Sequence, residues 1–280
     1  MLSDVRKVAE AGMLAAGAAN AARNTTGTSL TRIIVDPGAS RSLMAEVKRL
    51  MMPTCPEASI IIDELGDPCP TEASCDLLLV ISGGRDVEAV ERAAISASAA
   101  GVPVIIVAQS ALDAPDGSTP MASKGSVSLV LAGVPGELEG GLASCITDTC
   151  PGAVRLSHGY PFLRRAASRS VMSACASKNA TADVMPFFRG SGMNAMSSNQ
   201  SKMAVEIANA YGANSPEAYA IGVAIVMAAG FGWRSLARAL EKYLGLRGRL
   251  VRAAIGYGGT MASGMAVRAA NELLARRGRS

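Results

Sequence analysis

The sequence is poor in aromatic side chains: phenylalanine, tyrosine and tryptophan make up 4% of its 280 residues, with one tryptophan, Trp233. Proteins that grip single-stranded nucleic acid stack bases on such rings, so that mode of recognition has little to build on. Charge is scarce too, at 18% Asp, Glu, Lys and Arg, and a formal net charge of +4 is too small to mark a nucleic-acid binder. No nucleic-acid partner is expected. Low charge beside 49% hydrophobic residues excludes general disorder and leans the composition toward membrane contact.

His158 is the only histidine, so a serine or cysteine nucleophile would have to recruit it as its base, and no G-x-S-x-G elbow marks such a partner. It reads as a surface or loop histidine. The six cysteines, at 55, 69, 75, 145, 150 and 175, form no C-x-x-C pair and no repeated ligand spacing. A structural zinc site is not expected from them, nor is a disulfide framework in a chain of this size. Neither a metal nor a cofactor follows from this inventory. The short apolar stretch Ala11 to Ala22 lacks the basic entry of a secretory leader because Asp4 and Glu10 interrupt it, and residues 3–22 read as an alanine-rich helix.

What is present is organised. From Leu30 to about Val154, short β-branched runs alternate with helix-like stretches, the pattern of a Rossmann-like α/β domain with a parallel sheet covered on both faces. The expected strands are Thr31 to Val35, Ser59 to Ile62, Asp76 to Ile81, Val102 to Val107 and Val127 to Leu131. Ser42 to Met52 and Val87 to Ala100 are expected crossover helices, Thr147 to Ser157 a loop, and Phe162 to Ser177 a helix.

The stretch 178–198, rich in Ser, Asn, Gly and Met and containing Pro186, predicts no regular element and holds the boundary. The expected organisation is a helix at 1–23, an α/β domain at 24–180, a linker at 181–198 and an all-α helical hairpin domain at 199–280. Asn199 is placed to cap a helix that carries Met203, Ile207, Ala210 and Tyr211 at helical spacing and stops at Gly212.

Two apolar runs follow, Ala218 to Trp233 with 16 uncharged residues and Ala253 to Val267 with 15. Each falls short of the ~20 residues of a spanning helix. Between them Arg234, Arg238, Lys242, Arg247, Arg249 and Arg252 face one acid, Glu241. Exporting so basic a connection would oppose the positive-inside tendency, whereas a hairpin lying on or half inserted in the cytoplasmic face sets the arginines on anionic headgroups, with Trp233 as an interfacial anchor. An ordinary buried hairpin in a soluble protein is the alternative. Small residues along both runs permit close helix approach, hence homo-oligomers or, in a further alternative, a pore or transport element.

Three motifs sit at strand ends. Val35-Asp-Pro-Gly-Ala-Ser-Arg-Ser42 occupies the place of a phosphate loop, but Val35 and Ser40 replace its two glycines and Arg41 its lysine, leaving Ser42. Asp63-Glu-Leu-Gly66 has the D-x-x-G form of a GTPase metal and γ-phosphate contact. The guanine-reading motif is missing after Val102 to Val107, where the chain reads Gln109, Ser110, Ala111, Leu112. A degenerate nucleotide site would therefore use Arg41, Ser42, Asp63 and Gly66. Ser82-Gly-Gly-Arg-Asp86 reads as a tight turn with Asp86 capping the next helix, or else as a ligand loop.

Residues 183–274 resemble a known family, the bacterial helical domain of unknown function that follows Era-like GTPase domains (the DUF 697 family). The resemblance rests on Asn199-Gln200, Met203, Ile207, Ala208, Tyr211-Gly212, Gly230-Phe-Gly232, Ala237, Ala254, Tyr257, Gly259-Thr260 and Gly264. It implies membrane association of the helical domain and a GTPase-like α/β domain before it, with no catalytic residues in the helices. With the phosphate loop and guanine motif eroded, the expected protein is a non-enzymatic pseudo-GTPase-like scaffold or adaptor on the cytoplasmic membrane. The competing expectation is an unusual nucleotide hydrolase.

Overall fold

The computed structural model describes residues 27–66, 75–115, 127–133, 136–184, 192–244 and 248–277, so the helix expected at 1–23 lies outside it. The described chain falls into two compact units, one over Gly27–Ala167 and one from Ser168 onward.

In the first unit the Leu-, Ile- and Val-rich runs become five parallel strands, β1 (Ser29–Val35), β2 (Ala58–Glu64), β3 (Leu77–Ser82), β4 (Val104–Ala108) and β5 (Val127–Leu131), in the order β2-β1-β3-β4-β5. Parallel neighbours require crossovers. Helix α1 (Arg41–Leu50) connects β1 to β2, α2 (Val87–Ala99) connects β3 to β4, and α3 (Glu137–Thr149) and α4 (Ala153–Gly159) follow β5.

Side chains alternate across the sheet. Ile33, Leu79 and Ile105 pack with Leu43 and Val47 of α1, Leu142 and Ile146 of α3, and Leu156 and Tyr160. Ile34, Leu78, Val80 and Ile106 face the other way, against Val90 and Ala94 of α2. All six residues of β3 are buried, as an interior parallel strand requires. Helix α1 starts where Ser40 accepts from Leu43 N–H, and it buries Leu43, Val47 and Leu50 at helical spacing.

Thr147 to Ser157 is mostly helix rather than loop, with α3 running to Thr149 and α4 starting at Ala153. Thr147 does not break α3 because its hydroxyl donates to the carbonyls of Ala143 and Ser144.

Helix α5 (Arg164–Val184) begins in the last residues of the first unit, and the second unit continues with α6 (Gly192–Ala210), α7 (Pro216–Leu244) and α8 (Gly248–Arg277). The expected linker at 181–198 is thus helical over 181–184 and 192–198, and Asn199 sits inside α6 instead of capping it. Asn179, from the stretch read as a linker, accepts from Asn199 at 3.1 Å and donates to the Thr260 hydroxyl at 3.0 Å. Gln200 reaches the same hydroxyl at 3.4 Å, which itself donates to Gly256 C=O at 2.7 Å. Tertiary pairing here overrides weak helix propensity.

Gly212 closes α6 at φ +76°, as its position predicts. The basic connection is also helical up to Leu244 and again from Gly248, which leaves Arg247 outside the described residues.

Candidate functional site

In an open α/β sheet, ligands enter the crevice at the carboxyl ends of two adjacent strands whose connections leave toward opposite faces. The order β2-β1-β3-β4-β5 places that switch point between β1 and β3, at the loops 36–40 and 83–86. These are the failed phosphate loop and the Gly-Gly turn singled out in the sequence.

The crevice has an occupant from the chain itself. Asp36, fully buried, directs Oδ1 to Gly38 N–H at 2.9 Å, while Oδ2 accepts from Gly83 N–H at 2.8 Å and Arg85 N–H at 3.2 Å. Burial by itself would raise this carboxyl's pKa, but the three backbone bonds and the Arg85 guanidinium outweigh it and hold the group below its ordinary value. Backbone N–H groups that would otherwise cradle a phosphate are spent on an internal carboxylate.

The fit is close enough to specify glycine. A Cβ on Gly83 would lie 2.0 Å from the Gly38 carbonyl carbon and 2.1 Å from Ala39 N. Gly84 adopts φ +73°, a region suited to glycine, with its α-carbon facing Asp113. Ser82 donates its hydroxyl to the Asp113 carbonyl, and Asp113 accepts from Ser110 N–H at 3.1 Å and Ser110 Oγ at 2.8 Å. The loops after β1, β3 and β4 are therefore bonded into one rim. Asp86 caps α2 by accepting from Ala89 N–H at 2.9 Å, so the turn reading of Ser82 to Asp86 holds.

The four residues of the degenerate nucleotide site do not converge. Arg41 and Ser42 are exposed at the start of α1, with Ser42 Oγ 3.2 Å from Ser40 Oγ. Asp63, on β2, is bonded to Arg32 Nε at 2.6 Å. Asp63 and Gly66 line a cleft of about 250 Å³ together with Arg32, Ile34 and residues of α2. Arg32 and Ile34 belong to the face opposite α1, because Ile34 packs with Val90 and Ala94 while Ile33 packs with Leu43. The two halves of the motif stand on opposite layers of the sheet.

In the helical unit Trp233 is half-buried, its ring lying on Gly259, where a Cβ would come within 2.7 Å. Arg234, Arg238, Arg249 and Arg252 are helical, but their side chains lie outside the described residues. Along the 18-residue apolar stretch Pro216–Trp233, 22% is buried, at Ala218, Gly222, Val226 and Gly230. Full burial recurs every four residues, with Gly222 against Ala204, while Tyr219, which bonds Asn209, and Trp233 are half-buried. Ile221 and Phe231 are 45% and 61% exposed.

Sequence reasoning did not identify Asp36 as the organiser of the rim. Its principal partners Gly83 and Arg85 are 47 and 49 residues away, and only the β1–β3 pairing brings them together. No family model matches the chain, and neither any curated protein nor any solved structure matches it.

Proposed function

We propose that the chain is a non-enzymatic, membrane-associated scaffold: a pseudo-GTPase-like α/β unit carried by a helical unit of the DUF 697 type. The observation that carries the membrane half is the apolar stretch Pro216–Trp233, of which 22% is buried. A helix at the centre of a soluble bundle would cover most of such a surface, whereas one resting in the headgroup region leaves it to lipid. The basic residues from Arg234 to Arg252 continue directly from its end, matching an anionic cytoplasmic leaflet. The non-enzymatic half rests on Asp36, which holds the switch-point donors, and on the separation of Arg41 and Ser42 from Asp63 and Gly66.

Self-association would have to use glycines not already packed within the chain. Gly222, Gly259 and Gly264 have neighbours, whereas Gly232 and Gly258 have no heavy atom within 4 Å of an added Cβ.

Flotation of the full-length protein with liposomes tests the proposal. The wild type should float with vesicles containing anionic lipid, and the double variant Ile221→Glu, Phe231→Glu should remain at the bottom. A wild-type protein that stays with neither anionic nor neutral vesicles defeats the membrane half. Tight, magnesium-dependent GTP binding defeats the other.

A further inference from the structure

At the opposite end of the α/β unit's sheet from the Asp36 rim, three ligand-type side chains meet. The Cys55 sulfur, a Glu57 carboxylate oxygen and a His158 ring nitrogen lie within 4.8 Å of one another. Cys55 and Glu57 stand in the turn that enters β2, and His158 is the penultimate residue of α4. Backbone bonds hold these two segments together: Thr54 donates through its N–H at 3.0 Å and its hydroxyl at 3.1 Å to Gly159 C=O.

The juncture is tight. A Cβ on Gly159 would sit 2.3 Å from the Ala58 side chain and 3.7 Å from the Cys55 sulfur. Ala58 N–H in turn bonds Cys55 C=O. The backbone therefore sets all three side chains side by side.

We propose that Cys55, Glu57 and His158 form a binding site for a divalent cation of the zinc type, three protein ligands leaving one position open to water. Thiolate, imidazole and carboxylate are the three donor classes zinc accepts, and three protein ligands plus an open position is the pattern of accessible rather than closed sites. Bond lengths of ~2.0–2.3 Å on a tetrahedral centre place ligand atoms roughly 3.3–3.8 Å apart, so closure from the observed spacing needs about 1 Å of movement. Glu57 is exposed and free to make it by side-chain rotation, while Cys55 and His158 are half-buried.

Binding to a free cysteine is an exchange: the cation forms a bond to sulfur, and the sulfur's proton passes to solvent. The site lies within the α/β unit and is independent of the membrane reading.

Cobalt(II) titration of the reduced, chelator-treated full-length protein tests the proposal, since a cobalt–thiolate bond gives a charge-transfer band and a tetrahedral centre gives strong visible bands. Wild type should bind one equivalent with the intensity of a single sulfur ligand, and zinc should bleach the spectrum.

Cys55→Ser should abolish the charge-transfer band, leaving five cysteines as an internal control. His158→Gln should weaken binding at least about 100-fold, because loss of even an outer partner costs about 10–100-fold. Glu57→Gln, at an exposed position that leaves the fold intact, should weaken it by at least about 10-fold. Absence of the wild-type band, persistence of that band in Cys55→Ser, or unchanged affinity in Glu57→Gln would each overturn the assignment.

Discussion

Replacing Asp36 with asparagine changes little in shape and much in bonding. The amide oxygen can still accept from Gly38, but the amide nitrogen then faces the N–H groups of Gly83 and Arg85. Two charge-assisted bonds of about 1.5–3 kcal/mol each are lost, and two donors at the rim are left without an acceptor. The expected destabilisation is ~3–5 kcal/mol, or about a 10 °C fall in the midpoint of the α/β unit.

Urea denaturation of both proteins, followed by circular dichroism, measures the difference, and native-state hydrogen exchange at Gly83 and Arg85 localises it. Because the folded carboxyl titrates below its ordinary value, its stabilisation is complete above the unfolded value of about 4 and is lost as pH falls through the folded one. The asparagine variant lacks that dependence, so the gap between the two proteins should narrow in acid. A gap under about 1 kcal/mol at pH 7 would refute the role given to Asp36.

Gly83→Ala forces a methyl into the backbone of Gly38 and Ala39 and should cost at least about 2 kcal/mol in urea titrations. Thr260→Val removes the hydroxyl that accepts from both Asn179 and Gln200, so the stability of the helical unit should fall by about 1–3 kcal/mol in urea titrations read from Trp233 fluorescence. The Ile221→Glu, Phe231→Glu variant should lose vesicle binding yet stay within about 1 kcal/mol of wild type in detergent-free denaturation, since both positions are exposed.

Strands β3 and β4 were legible because burial on both faces demands uninterrupted apolar residues; the edge strand Val127 to Leu131, though half-exposed, matches its expected bounds, and the others shift only at their ends. Gly212 and Asp86 were legible because each acts on its immediate neighbours. Helices across 178–184 and 192–198 were not, because what favours them is the pairing of Asn179 with Thr260, 81 residues away. The same limit hid both clusters of chemical interest. Asp36 looked like part of a broken phosphate loop until β3 brought Gly83 beside it, and Cys55 and His158 each looked isolated until α4 met the entry to β2.

The buried carboxylate also decides what can compete for the rim. A nucleotide arriving from solution competes at its free concentration, whereas Asp36 is attached two residues from one of its donors and cannot diffuse away. The fold holds Asp36 beside those N–H groups, so a phosphate from solution would have to displace a carboxylate already bonded to them. Under the proposed scaffold reading, such a domain would not change state with nucleotide supply, and changes in its behaviour would originate away from that crevice.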